Sequence, residues 1–292
     1  MVQLTLPEIK RMRSGLSRLR QDVSSFLKES GYSPRKGSKA DQELSSGLSR
    51  EFLHTVQCQG SFQNELAADH LTAFVKTIQQ PMETVAPWNC VRAILESTAL
   101  AGWFLNPQVE AMERVARGFA HRYEGLMEQA KFSRSAGLDT AQLSKRIDKV
   151  ESDALALGFQ RILSRKGERI GIARKMPSAT QLIEDVFKMG ESYRLLSAFA
   201  HGHFWAIQQV SFSLVPGKKI EPAADGIKLH VIEKSVSLNA VGYLGMTAAE
   251  AISRPIWDQC VYYGWDRDRL QETLDRAFDL MGASQKIRCW KR

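Results

Sequence analysis

The stretch Trp88–Leu105 (WNCVRAILESTALAGWFL) decides the fold class. It is the most apolar run of the chain, and its composition is that of a helix surrounded by other elements. Its core, Ala93 to Leu105, is interrupted only by Glu96 and falls short of the ~20 residues that span a bilayer. Asn106-Pro107 ends it, because proline disfavours helix in the residue before it. A buried helix needs a shell, and the flanking sequence carries helical patterns that can supply one.

Upstream, Pro7 to Ser30 places Ile9, Met12, Leu16, Leu19, Val23 and Phe26 at alternating spacings of three and four, a heptad-like stripe on one helix face. Two uses of that stripe are open: docking on the protein's own body, or a seam between two copies, which would make a homodimer. Gly31 to Gly47 is rich in Gly, Ser and charge and reads as a linker or mobile loop. Gln63 to Gln79 reads as a helix. Downstream, Gln108–Phe132 and Thr140–Leu163 form a long helical hairpin turning at Ser135-Ala136-Gly137, with Asp139 as N-cap. Ser178 with Gln181 fits a capping box and opens the next helix. Ser211–Val215 and Ile227–Ile232 form a small β-hairpin between Val210 and Ser237. Ala240–Gly264 and Arg267–Gly282 return to helix, the second capped by Asp266.

The expectation is therefore an all-α protein: a single-core helical bundle of about eight helices with one small β-hairpin insertion. Residues 1–30 form an N-terminal amphipathic helix, 31–50 the linker, 51–285 the bundle and 286–292 a basic tail. The chain has 292 residues, 43% of them hydrophobic and 25% charged, the balance of a soluble globular protein. The N-terminus lacks the apolar core of a signal peptide, which points to the cytoplasm. Cys58, Cys90, Cys260 and Cys289 are scattered, without a CxxC pair or a cysteine–histidine cluster, so neither a zinc site nor a disulfide framework is expected.

The formal charge of +8 and the pI near 9.3 are compatible with an anionic partner. The densest basic segment runs from Arg161 to Lys175 and contains Arg161, Arg165, Lys166, Arg169, Arg174 and Lys175. Gly167 and Gly171 break its helical pattern, so it reads as a loop and as the first candidate for phosphate contact. It lacks the GxxxxGK[ST] arrangement of a nucleotide-binding loop.

A second candidate lies in Tyr193–His203 (YRLLSAFAHGH). At ~100° per residue, Arg194, Ser197 and His201 share one helix face. Histidine can move a proton at physiological pH while a neighbouring guanidinium stabilises developing negative charge, the pairing that phosphodiester cleavage needs. The alternative is that these side chains only hold helices together, with Arg194 paired to Glu96 or Glu191. Arg92 and Glu96, one turn apart on the apolar helix, are spaced for an ion pair that clamps helices. The two polar pairs, Arg92–Glu96 and Arg194–His201, are expected to face each other inside the bundle. His201 and His203 are two apart and diverge on a regular helix; only a break at Gly202 would let them converge. No metal or cofactor is expected. Trp88, Trp103, Trp205 and Trp257 read as core residues.

With Arg-Ala-Ile-Leu-Glu at 92–96 and Tyr-Arg-Leu-Leu-Ser…His-Gly at 193–202, the chain resembles helical bacterial proteins that are in turn similar to the HEPN superfamily. That resemblance covers Trp88–Leu105 and Gln181–Gln209. It implies an α-helical and often dimeric protein, with a metal-independent ribonuclease activity of the kind found in defence and toxin systems. The family motif is an arginine, usually followed by a polar residue, then four to six residues, then a histidine; six residues stand between Arg194 and His201, at the edge of that range. It maps onto Arg194 and His201, with Ser197 between them and Tyr193, Arg92 and Glu96 in support; RNA would be the partner. Leu195 departs from the motif, standing where a polar residue is usual. A non-catalytic helical interaction or regulatory protein is the competing expectation.

Overall fold

The computed structural model describes residues 3–47, 50–219 and 230–283. Among them are eleven helices and two separate two-stranded antiparallel sheets, so the protein is a mainly α-helical bundle. The helices are α1 (Leu6–Glu29), α2 (Lys39–Ser45), α3 (Arg50–Thr77), α4 (Ala86–Leu105), α5 (Ala111–Ser135), α6 (Ala141–Ala156), α7 (Ala179–Phe187), α8 (Gly190–Ala200), α9 (Phe204–Ser211), α10 (Leu238–Tyr263) and α11 (Arg267–Met281). The strands are β1 (Arg161–Leu163) with β2 (Arg169–Ile172), and β3 (Phe212–Lys219) with β4 (His230–Lys234). No described helix is long and apolar enough to cross a membrane.

Helix α4 is the hub, packing against α3, α10, α7 and α8. Its approach to α3 is close because position 60 has no side chain: a Cβ at Gly60 would lie 2.5 Å from Leu105 Cγ. Ile9, Met12, Leu16, Leu19, Val23 and Phe26 of α1 are all buried, and α1 packs on α11, α10 and α3. The stripe is thus covered by the chain itself. The homodimer seam expected from it loses the feature that suggested it.

Several boundaries differ from the sequence reading, each for a local reason. Helix α3 begins at Arg50, thirteen residues before the apolar pattern announces it, and buries Leu53, Val56 and Gln57. The supposed linker holds α2, capped by Ser38, whose hydroxyl accepts from the Asp41 amide at 3.2 Å. That helix buries Ala40 and Glu43, so the segment is anchored to the bundle. Hairpin α5–α6 forms as expected, but α6 ends at Ala156 because Gly158 turns the chain at φ 83°. Thr140 occupies the cap position there, while Asp139 takes the Ala141 amide at 2.9 Å. Ser178 and Asp266 cap α7 and α11 as read from the sequence. Apolar packing falls into two clusters: a main one built on α1, α3, α4, α8, α10 and α11, and a smaller one between α5, α6 and neighbouring chain.

The β-hairpin at Val210–Ser237 is present as β3 and β4, paired from Phe212 opposite Lys234. Its first strand continues through Pro216-Gly217 to Lys219, beyond the expected end at Val215. Residues 220–229 and the basic tail 286–292 lie outside the described residues.

Candidate functional site

Helix α8 presents two unlike faces. Tyr193, Leu196 and Phe199 are buried, and the Phe199 ring stacks on Trp88 of α4 at 3.9 Å between centroids. This apolar contact fixes which side of α8 meets α4. The polar link across the same interface is made by Tyr193: its hydroxyl donates to Glu96 Oε1 at 2.6 Å, and Arg92 Nε donates to the same oxygen at 2.8 Å. The Arg92 guanidinium lies 5.7 Å from the centre of the Tyr193 ring. Burial and the carboxylate of Glu96 push the Tyr193 phenol pKa up, so it remains a hydrogen-bond donor.

Arg194 and His201 are exposed and Ser197 is half-buried. The expected opposition of Arg92–Glu96 to Arg194–His201 is therefore corrected. The two helices do pack together, but Tyr193 faces Glu96 in place of Arg194. The reason is rotational: Tyr193, Leu196 and Phe199 at three-residue spacing carry more apolar area, which turns the next-door arginine to solvent. No described ion pair or hydrogen bond engages the side chains of Arg194, Ser197 or His201. The helix-holding role weighed for this face belongs instead to Arg92, Glu96 and Tyr193.

The C-terminal end of α8 completes the site. The amides of His201, Gly202 and His203 donate to the carbonyls of Ser197, Phe199 and Ala198 at 3.0, 3.0 and 2.9 Å. Gly202 sits at φ 66°, a left-handed conformation that glycine adopts without Cβ strain and that closes helices in this hydrogen-bond pattern. The break brings the His201 and His203 rings to 6.2 Å between centroids, inclined by 62°. Immediately after them, Phe204 and Trp205 open α9 with 59% and 52% exposure. Trp88 and Trp103 are buried as expected and Trp257 packs against the core, but Trp205 is not a core residue. Its exposure follows from the turn at Gly202, which the helical spacing alone does not anticipate.

The basic segment is a β-hairpin rather than a loop, and three of its six cations are already paired with carboxylates. Glu151 of α6 accepts from Arg161 at 2.5 Å and from Arg169 at 2.8 Å, and this pairing holds its carboxyl below the usual range. Arg174 pairs with Glu113 and lies 5.4 Å from the centre of the Trp103 ring. Arg165, Lys166 and Lys175 are exposed without a described ion pair. The first two sit at the hairpin turn. Three cations are thus available to an anion where six were expected.

The largest polar feature of the interior was not read from the sequence. Arg114 of α5 is fully buried, donates to Glu43 Oε2 at 3.1 Å, and lies 3.9 Å from the centre of the Tyr262 ring. It also donates to the carbonyls of Phe104, of Asn106 at 3.1 Å and of Val109 at 2.9 Å, closing the end of α4. Tyr262 donates to the same carboxylate oxygen and accepts from Gln57 at 3.0 Å. Both Arg114 and Tyr262 meet Glu43 at Oε2; its other oxygen, Oε1, is buried without a hydrogen-bond partner. Among the described residues no group of three or more His, Cys, Asp or Glu is arranged to hold a metal ion.

Comparison with protein-family models, with curated proteins and with solved structures yields no match to this chain.

Proposed function

We propose that the exposed face of α8 and the turn after it act on RNA, and that the protein is a HEPN-like, metal-independent ribonuclease of the cytoplasm. The observation that carries this reading is the division of labour on α8. Tyr193 and Glu96 hold the helix to the bundle, while Arg194 and His201 are exposed and Ser197 half-buried, all three with no described side-chain hydrogen bond or ion pair. Residues committed to stability are satisfied internally; an exposed arginine and histidine on one face are available to a ligand. His201 would take the proton of a ribose 2′-hydroxyl. Arg194, seven residues away and so about 10 Å along the axis, would neutralise phosphate charge. The adjoining Trp205 supplies an aromatic face of the kind on which unpaired bases stack.

A second reading, a non-catalytic interaction surface, has one observation in its favour. No described group bonds the His201 imidazole, and a general base is ordinarily held in one tautomer by such a bond. The test is incubation of single-stranded RNA with the wild-type chain and with His201→Ala, in EDTA, after circular dichroism shows both folded. Cleavage by the wild type alone is the expected result. Equal cleavage by both, or none by either, refutes catalysis by His201.

A further inference from the structure

The turn at Gly202 supplies a second imidazole beside the first. From the juxtaposition of His201 and His203 across that left-handed glycine, we propose that His203 is the general acid that protonates the leaving oxygen while His201 acts as base. This inference rests on the ribonuclease reading and completes its chemistry, because Arg194, Ser197 and His201 contain no group to protonate the departing 5′-oxygen.

Three observations support the pairing. The centroids stand 6.2 Å apart, so the rings do not share a direct hydrogen bond and leave room between them. A proton-transfer partner works within about 2.6–3.2 Å of the atom it serves, and a phosphodiester lying between the rings can meet both conditions. The backbone places the two residues side by side: the amide of His203 returns to the Ala198 carbonyl at 2.9 Å, and Gly202 holds φ 66°. Finally, both residues are exposed, with no described carboxylate bonded to either.

The step balances without metal, water or cofactor. Neutral His201 removes the 2′-hydroxyl proton as the 2′-oxygen forms its bond to phosphorus. The bond from phosphorus to the 5′-oxygen breaks, and His203 imidazolium gives its proton to that oxygen. The products are a 2′,3′-cyclic phosphate and a 5′-hydroxyl. The two histidines exchange protons with solvent to reset. Activity then requires one ring neutral and the other charged, which gives a bell-shaped dependence of kcat/KM on pH.

The deciding experiment compares the full chain with His203→Gln and His201→Gln on two substrates in EDTA. One is ordinary RNA; the other carries sulfur in place of the bridging 5′-oxygen at the linkages the wild type cleaves. A thiolate leaves without protonation, so loss of a general acid matters only for the oxygen substrate. His203→Gln should lose about 10²–10⁴-fold on ordinary RNA, recover on the sulfur substrate, and show one limb of the pH profile flattened. His201→Gln should be slow on both. Cleavage of ordinary RNA by His203→Gln at the wild-type rate, or an equal loss on both substrates, overturns the role of His203 and leaves the ribonuclease reading standing. A wild type that cleaves neither substrate overturns that reading, and this inference with it.

Discussion

Removing the Glu43 carboxylate should destabilise the protein far more than its place in a short, serine-flanked helix suggests. Its partner Arg114 has no exposed surface, so in Glu43→Ala a full positive charge stays inside the bundle without a counter-charge. Breaking a buried pair from one side costs about 3–5 kcal/mol. Two features of this site moderate that cost. The carbonyls of Phe104, Asn106 and Val109 continue to accept from the guanidinium, and the Tyr262 ring remains 3.9 Å beneath it. A desolvated cation over an aromatic face is worth ~2 kcal/mol. Glu43→Ala should therefore fall near the lower end, about 3 kcal/mol by urea titration followed by circular dichroism. Glu43→Gln keeps an oxygen for Arg114 and Tyr262 and should cost less. Arg114→Met should cost at least as much as Glu43→Ala, because it also strips donors from the carbonyls at the end of α4. The double variant should be less destabilised than the sum of the singles, since neither charge is then left alone. Additive costs, or a loss under about 1 kcal/mol for Glu43→Ala, would refute the view of this pair as a buried ionic clasp.

Burial pushes the Asp258 carboxyl up to about 6, with Arg254 one turn earlier pulling the other way. Its folded pKa exceeds its unfolded one, so it favours the folded state at low pH and this contribution fades as pH rises through about 4 to 6. Asp258→Asn should gain stability over wild type across that window, by at most about 3 kcal/mol at neutral pH; a difference that does not change with pH would contradict this. Taking the difference between the two proteins removes the opposite tilt from His121, whose pKa burial lowers. On the α4–α8 interface, Tyr193→Phe and Glu96→Ala should each cost about 1–2 kcal/mol, and a double-mutant cycle should show coupling between them. Thermal melts in which the two effects simply add would remove the hydrogen bond from the account of how α8 is held.

The bundle was legible because burial writes itself into periodicity. The stripe of α1, the apolar length of α4 and the heptad spacing of α6 each report a face packed on the core. What escaped the sequence was whatever depends on long-range pairing. Glu43 sits among serines and charges, and nothing local distinguishes it from a solvated residue; only the approach of α5 and α10 makes it a buried ion. The strands β1 and β2 were hidden for the same reason, since Arg161 and Arg169 look like solvent-facing cations until Glu151 of α6 gathers them. A usable signal existed there in the glycine of the turn, Gly167 at φ 78°, flanked by Ile162, Leu163, Ile170 and Ile172.

Helix α8 is where the two kinds of information meet. Its amphipathicity identifies a face rich in arginine, serine and histidine but does not say whether that face is turned inward. Expecting the two polar pairs to face each other inside the bundle puts Arg194 opposite Glu96. The packing instead puts Tyr193 there, one residue and ~100° away. That small rotation changes what the polar residues can do. Facing inward, Arg194 and His201 would be bound to the fold and their replacement would be felt as lost stability. Facing outward, they can be replaced with little effect on folding, and under the proposed ribonuclease function their replacement would remove contacts to RNA. Stability and activity should consequently separate along a single helix turn: variants at Tyr193 disturb the bundle, whereas variants at Arg194 and His201 leave it intact. The same turn at Gly202 that ends the helix brings His203 to His201 and is followed by the exposed Phe204 and Trp205, so the irregular end of α8, rather than its regular middle, gathers exposed imidazole and aromatic groups.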